Sequence, residues 1–373
     1  MSERVVIDGR FLAQPVTGVQ KVGIEFCLAL DHLLAEGKLP EADVRVAVPG
    51  HARLVTSPRW KCIRLVRAGR LSGHLWEQFE LPFIARGAKL LALGNTAPLA
   101  SLIFSAHSTY VMVHDLSYRY FPTAYGRAFR LFYELVIPVV LQRARRVFTV
   151  SESERSAILH EYPRKMEKSR IVAVQNGGAV VPADAIPGRR SRGRNCLCVG
   201  SLTKRKNAEG LVAAAIRLVG RHDATFTFVG STSAHFEGVR VDIPVDAARS
   251  IRFLGQIDNP ELLAYEYSKA AVFVFPSFYE ASPLPPIEAM AHGCPVVASA
   301  IPSLQERCGD AAVYCDPYAI ETIVAATASL LDSDELWNHQ QRAGLSRCGE
   351  FSWEAQAQRI FAEVLQEGQR DDS

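Results

Sequence analysis

The order of apolar and polar positions along this chain is that of strands alternating with helices. Short runs rich in Val, Ile, Leu and Phe, apolar at successive positions, give way to longer stretches in which apolar residues recur every third or fourth place. The first pattern is that of a strand buried on both faces and the second that of an amphipathic helix; their alternation marks a parallel sheet flanked by helices. The runs predict strands at 4–8, 44–48, 63–66, 90–93, 110–113, 147–150 and 171–174, then at 196–199, 225–229, 251–254, 271–275, 295–298 and 312–314. The expected class is α/β, built from doubly wound sheets.

Residues 181–195, VPADAIPGRRSRGRN, interrupt the alternation with Pro, Gly and Arg and no apolar period, which reads as a linker. It separates a first domain, 1–180, from a second, 196–350, and a chain of 373 residues is long enough for two cores. An amphipathic run predicts a last helix within 351–366, and the tail 366–373 is expected to fray.

Composition narrows the function classes. With 48% hydrophobic and 22% charged residues the chain reads as soluble and globular. No apolar run is long enough to cross a bilayer, and the start MSERVVIDGR lacks the layout of a secretory signal, so a cytoplasmic location is expected. The eight cysteines include no C-x-x-C pair, which predicts reduced core thiols rather than a disulfide framework or a zinc site. A net charge of +3 makes no case for nucleic acid. The charge is nevertheless uneven: Arg119, Arg127, Arg130, Arg143, Arg145, Arg146, Arg155, Arg164, Lys165, Lys168 and Arg170 are interleaved with Tyr118, Tyr120, Phe121, Tyr125, Phe129, Phe132 and Tyr133. Such a surface fits peripheral contact with anionic lipid on the inner face of the plasma membrane, and equally a solvated helix face above a core aromatic stripe.

The densest candidate chemistry is FPSFYEASPLPPIEAMA, residues 275–291. Pro276 and Ser277 end a strand, a small-residue loop carries Glu280, and Pro285 and Pro286 preset helical φ where a missing N–H costs least. A helix therefore opens there with Glu288 in its first turn. Its amide dipoles would favour an anionic diphosphate, leaving the two carboxylates for sugar and ribose hydroxyls. The plainer alternative is a solvated loop charge and a first-turn acid that complements the dipole. In VGSLTKRKN, 199–207, Arg205 and Lys206 sit at a strand-to-helix turn, where two cations suit a pyrophosphate or merely start a basic helix. Gly230, in FTFVGSTS, permits close approach of backbone to a nucleotide, or serves a tight turn.

The first half carries three further segments. VTGVQKVG, 16–23, puts Gly18, Val19 and Lys21 where a strand turns into a helix. HLWEQFELP, 74–82, offers Glu77 and Gln78 to acceptor hydroxyls if they face a cleft, and a surface helix explains them as well. VMVHDLSYRYFP, 111–122, ends a buried strand with His114 and Asp115. There His114 can donate a hydrogen bond to a sugar while Asp115 sets its tautomer or holds the loop, unless the pair is a capping Asp beside a satisfied His.

These segments together resemble those of retaining glycosyltransferases of family four, glycosyl transferases group 1, and the WEQ segment resembles their mannosyl- and rhamnosyl-type members. The resemblance implies the GT-B fold: two Rossmann-like domains facing across a cleft, with the C-terminal helix crossing back to the first. It implies catalytic roles for Glu280, His114, Arg205 and Lys206. Donor contacts would come from Gly200, Ser201, Arg205, Lys206, Gly230, Ala281, Ser282, Pro283, Leu284 and Glu288, and acceptor contacts from Gly18, Val19, Lys21, Glu77, Gln78, His114 and Asp115. Three departures stand out: Ser201 and Lys21 replace arginines common in the family, and Ala281-Ser282-Pro283 replaces its usual G-F-G, removing one amide. The expected reaction is a retaining, metal-independent and cofactor-free transfer of a hexose from a nucleotide sugar, GDP-mannose foremost, to a glycan or lipid-linked oligosaccharide in surface polysaccharide synthesis. A non-hydrolysing sugar-nucleotide epimerase, a phosphorylase-like enzyme and a catalytically silent sugar-nucleotide-binding protein are the alternatives. No G-x-G-x-x-G follows a predicted strand, which disfavours a dehydrogenase.

Overall fold

A computed structural model describes residues 3–163, 167–231 and 243–366. It divides into two compact units, Met1–Gly177 with Ser352–Ser373, and Gly178–Phe351, so the chain passes between them twice.

The first unit is built on a seven-stranded sheet in the order β3-β2-β1-β4-β5-β6-β7. Its strands are β1 (Glu3–Asp8), β2 (Ala42–Pro49), β3 (Arg64–Ala68), β4 (Lys89–Ala92), β5 (Thr109–Met112), β6 (Arg146–Thr149) and β7 (Ile171–Ala173). The second holds a six-stranded sheet, β10-β9-β8-β11-β12-β13. Its strands are β8 (Asn195–Val199), β9 (Thr225–Val229), β10 (Ile251–Phe253), β11 (Val272–Phe275), β12 (Val296–Ser299) and β13 (Ala312–Cys315). Every pairing between these strands is parallel among the described residues. All thirteen predicted runs are strands, with ends displaced by at most two residues. The reason is burial: Val5, Val6 and Ile7 of β1 and Val272 to Phe275 of β11 are at most 4% exposed, each contributing roughly 1.5–3 kcal/mol.

Both sheets reverse direction once. The chain builds outward from β1 through β2 to β3, then returns to lay β4 on the other side of β1; β8, β9, β10 and β11 repeat the manoeuvre. The crevices at the carboxyl ends of β1/β4 and of β8/β11 are thus switch points, where open α/β sheets bind ligands.

The stretch 181–195 is not a solvated tether. It makes short turns at Ala183–Ala185 and Arg189–Ser191, and Asn195 already belongs to β8. Arg192 is 3% exposed and donates to the carbonyls of Pro187, Ala270 and His292, binding the stretch to the second unit. Its partners are main-chain oxygens, so no charge pattern announced them. The helix Trp353–Leu365 belongs to the first unit, where it packs on the helix Gly18–Ala35. Gln356 Nε2 donates to Asn176 Oδ1 at 3.0 Å, and Ala357, Ile360, Phe361 and Val364 are buried. All eight cysteines are free; Cys62 is exposed and Cys348 half-buried, the other six being core thiols. Arg164 and Lys165 of the basic segment, and the tail from residue 367, lie outside the described residues.

Candidate active site

In the second unit the two loops flanking the switch point are stitched together. The turn after β8 carries Arg205 and Lys206, and the loop after β11 carries Glu280. Lys206 Nζ donates to Glu280 Oε1 at 2.9 Å, and Arg205 Nη1 lies 3.0 Å from Glu280 Oε2. Arg205 also donates to the carbonyl of Tyr279 at 2.8 Å, and the amide of Phe278 donates to the carbonyl of Arg205 at 2.9 Å. The Lys206 ammonium stands 4.5 Å from the centre of the Phe275 ring, a cation–π contact. Burial works against the Glu280 charge, but Arg205 and Lys206 outweigh it and bring the carboxyl down to about 2. Burial also lowers Lys206, opposed by Glu280. Two cations and one carboxylate leave this cluster with a single net positive charge.

The glycines beside it explain why β8 and β9 end as they do. Gly200 and Gly230 have φ of +140° and +146°, conformations that side chains rarely adopt. A Cβ on Gly230 would stand 2.1 Å from the carbonyl oxygen of Gly200, and one on Gly200 would stand 3.3 Å from Lys206 Nζ. The two turns touch backbone to backbone, with Lys206 against them. Ser201 follows Gly200 at this crossing, half-buried. Asn207 then caps the helix Ala208–His222, its side chain accepting from the amide of Gly210 at 3.2 Å.

Glu288 lies in the first turn of the helix Pro285–Ala291 and accepts from the Tyr267 hydroxyl at 2.9 Å. Tyr267 in turn stacks on His292, centroids 5.5 Å apart. Ala281, Ser282, Pro283 and Leu284, which join the two glutamates, are all buried. The helix has seven residues, and two prolines without N–H groups begin it, so its dipole offers an anion less than a long helix would. Positive charge at this switch point comes chiefly from Arg205 and Lys206.

The first unit departs further from expectation. Glu77 is fully buried and faces no cleft: Arg10 Nη2 and Thr96 Oγ1 donate to its Oε1 at 2.5 and 2.6 Å, and His74 Nδ1 lies 2.8 Å from Oε2. Gln78, half-buried, donates to the Ala97 carbonyl and to Glu77 Oε2 and accepts from the Leu99 amide. Glu77 is thus a framework residue. His114 Nε2 is 2.7 Å from the Leu93 carbonyl, which must accept from it. That bond sets the tautomer, leaving Nδ1 without a proton in the neutral ring, so this His114 is not placed to donate to a sugar. Burial pulls its pKa down, which keeps it neutral. Asp115 instead holds the loop, its Oδ1 taking the amide and hydroxyl of Ser117 at 2.9 and 2.6 Å.

At the β1/β4 switch point of this unit lies a cavity of about 290 Å³. Val19 and Asp115 line it; Gly18, Lys21, Glu77, Gln78 and His114 do not. Sequence reasoning missed its principal charge, Arg10, which is held by Asp8 at 2.9 Å and by Glu77. Burial opposes the guanidinium charge, but the two carboxylates outweigh it and hold Arg10 above its ordinary range. The signal was Asp8-Gly9-Arg10, two charges directly after a buried strand. Among the described residues no cluster of His, Cys, Asp and Glu has the makings of a metal site.

Much of the basic segment is consumed locally. Arg119 bridges Glu134 and Glu161 and lies over the Tyr162 ring; Arg146 pairs with Glu363, Arg155 with Glu152 and Arg170 with Glu167. On the helix Arg127–Arg143, Arg127, Arg130, Leu131 and Leu135 are exposed while Tyr133, Val136, Ile137, Val140 and Leu141 are buried. No helix among the described residues is long and apolar enough to cross a membrane.

Residues 193–333 match the family model described as Glycosyl transferases group 1. The chain is similar to O-antigen chain mannosyltransferase B of Escherichia coli, at 30% identity over 252 residues, 65% of this chain and 66% of that protein. An O-antigen chain mannosyltransferase of Salmonella typhimurium is 26% identical over 259 residues, 67% and 69% of the two chains. The matched stretch spans about two thirds of the length of these curated relatives. The solved sucrose-phosphate synthase of Thermosynechococcus elongatus has the same fold, with a TM-score of 0.74 at 21% identity over 97% of this chain and 98% of that one. Two parallel, doubly wound sheets, the group 1 match over most of the second and these relatives assign the chain to the glycosyl transferases group 1 family, with GT-B architecture.

Proposed function

We propose that this chain is a retaining glycosyltransferase that moves mannose from GDP-mannose to a hydroxyl of a glycan or lipid-linked oligosaccharide in surface polysaccharide synthesis. One observation carries the reading: Arg205 and Lys206 are gathered by Glu280 at the switch point of the second sheet, beside two glycine turns that admit close backbone approach. In the proposed step the bond from the sugar's anomeric carbon to the diphosphate oxygen lengthens, and negative charge grows on the diphosphate. Lys206 meets that charge as a point charge and Arg205 as a fork, and the acceptor hydroxyl attacks from the same face, its proton passing to the departing phosphate oxygen. In this reading Glu280 positions both cations, and Glu288, which accepts from the Tyr267 hydroxyl, meets the ribose hydroxyls. Mannose is favoured over other hexoses because the relatives above are named as mannosyltransferases acting on O-antigen chains.

Removing a charge that stabilises a leaving group costs roughly 10²–10³ in rate. Lys206→Met is expected to lose at least that much transfer while the fold persists, as read by product mass with GDP-mannose and an extracted glycan acceptor. Near-normal turnover would remove the site assignment. No metal enters this reading, so turnover in chelator tests it too: a strict divalent requirement argues for different chemistry. Conversion of the donor without any acceptor would favour an epimerase. The outer face of the helix Arg127–Arg143, with Arg127, Arg130, Leu131 and Leu135, is the surface this reading offers to an anionic membrane at the cytoplasmic side. Sedimentation with anionic against neutral vesicles checks it.

A further inference from the structure

We infer that Arg192, in the stretch that opens the second unit, is a positioning residue for Glu288: its guanidinium clamps two helix ends together and so fixes the Tyr267–Glu288 contact that spans them. The inference rests on the transferase reading, in which Glu288 meets the ribose hydroxyls of the donor.

The clamp is one side chain reaching two helices. Arg192 Nη1 donates to the carbonyls of Ala270 at 2.8 Å and Tyr267 at 3.3 Å, at the end of the helix Pro260–Lys269. Its Nη2 donates to the carbonyl of His292 at 2.6 Å, at the end of the helix Pro285–Ala291. Both helices thus present their last carbonyls, and the negative ends of their dipoles, to the same cation. The Pro187 carbonyl takes Nε at 3.2 Å and Nη2 at 3.0 Å, and the guanidinium lies 5.6 Å from the centre of the Trp337 ring. Trp337 is itself fully buried and donates to the Ala271 carbonyl at 2.6 Å.

The same two helices carry the two partners of the contact. Tyr267 belongs to the first and Glu288 to the first turn of the second, and the hydroxyl donates to Glu288 Oε2 at 2.9 Å. A hydrogen bond survives only a few tenths of an ångström of stretch, so a shift of one helix along the other breaks it. Tyr267 is 2% exposed, and its ring lies flat on His292, at 7° and 5.5 Å between centroids. His292 is the residue whose carbonyl Arg192 holds, and its amide returns to the Glu288 carbonyl at 3.1 Å. Arg192, His292, Tyr267 and Glu288 therefore form one continuous chain of contacts. Burial holds the Tyr267 hydroxyl above its ordinary range, so it stays a donor. A lysine at 192 would keep the charge but lose the planar fork that spans both helix ends.

The test measures binding of GDP and of 2′,3′-dideoxy-GDP to the full chain by titration calorimetry. Wild type is expected to prefer GDP at least about tenfold, the factor of one hydrogen bond to a charged group. Tyr267→Phe keeps the ring on His292 and loses only the donor; Arg192→Lys keeps the cation and loses the fork. Each should shrink that preference at least about threefold, and the double variant no further, because both act through Glu288. A purely structural role would weaken both nucleotides alike and leave the preference intact. That result, or losses of preference that add in the double variant, overturns the inference. Unfolding temperatures are recorded alongside, and should Arg192→Lys fail to fold, Arg192→Gln, which leaves no buried charge, takes its place. A wild type that binds no GDP, or binds both nucleotides alike, refutes the donor reading and the inference with it. A wild-type preference that survives the substitutions refutes the inference alone.

Discussion

Lys206 Nζ lies 2.9 Å from Glu280 Oε1, although the two residues belong to loops that follow different strands, β8 and β11. Arg205 takes the other oxygen at 3.0 Å. One carboxylate thus holds two cations side by side against their repulsion and presents them where a switch point opens. The contact joins the two loops, and on the proposed reading the same contact seats an anion.

Breaking this contact from one side should therefore be costly. Glu280→Gln leaves two cations facing each other, one of them largely buried, and an uncompensated buried charge costs about 3 kcal/mol. Urea unfolding should show a loss of that order. A double-mutant cycle with Lys206→Met should return a coupling above about 1 kcal/mol; additive losses would mean the pair does not act as a unit.

Acid should weaken the same contact. The Glu280 carboxyl is about 2 in the folded chain against an ordinary 4.5, so its contribution is fully present above about 4.5 and is lost as pH falls through about 2. The full shift amounts to about 3 kcal/mol. Unfolding curves for wild type and Glu280→Gln should converge as pH falls through this window, and a constant difference between them would contradict the assignment.

The stacked glycine turns give a third expectation. Gly230→Ala places a methyl 2.1 Å from a main-chain oxygen at a φ of +146°, so backbone must move. The cost should exceed about 2 kcal/mol, combining strain and overpacking. A drop in thermal unfolding temperature, with nucleotide binding weakened in parallel, is the readout; a neutral substitution would show that the two turns do not need their close approach.

The sheets were legible because parallel strands buried on both faces leave unbroken apolar runs, as Val5-Val6-Ile7 and Val272 to Phe275 do. Turn chemistry was legible for Gly230, whose φ of +146° suits a glycine. What sequence could not supply was pairing at a distance. Glu77 read either as a cleft residue or as part of a surface helix and is neither, because its buried partner Arg10 is 67 positions away. Arg192 looked like linker charge because its partners are carbonyls, which have no sequence signature. Asp115 read either as the orienter of His114 or as a holder of its loop; it holds the loop, and the Leu93 carbonyl holds the ring. Tyr125, Phe129 and Tyr133 fit both a core stripe and a surface, and the structure uses them as one wall of a cavity.

The most direct test of the proposal that Arg205, Lys206 and Glu280 serve a departing diphosphate is transfer from GDP-mannose to a glycan acceptor, read by product mass for wild type, Lys206→Met and Glu280→Gln. The account predicts a mannosylated product from wild type and at least a hundredfold loss, roughly, in both folded variants. Comparable product from all three would contradict it.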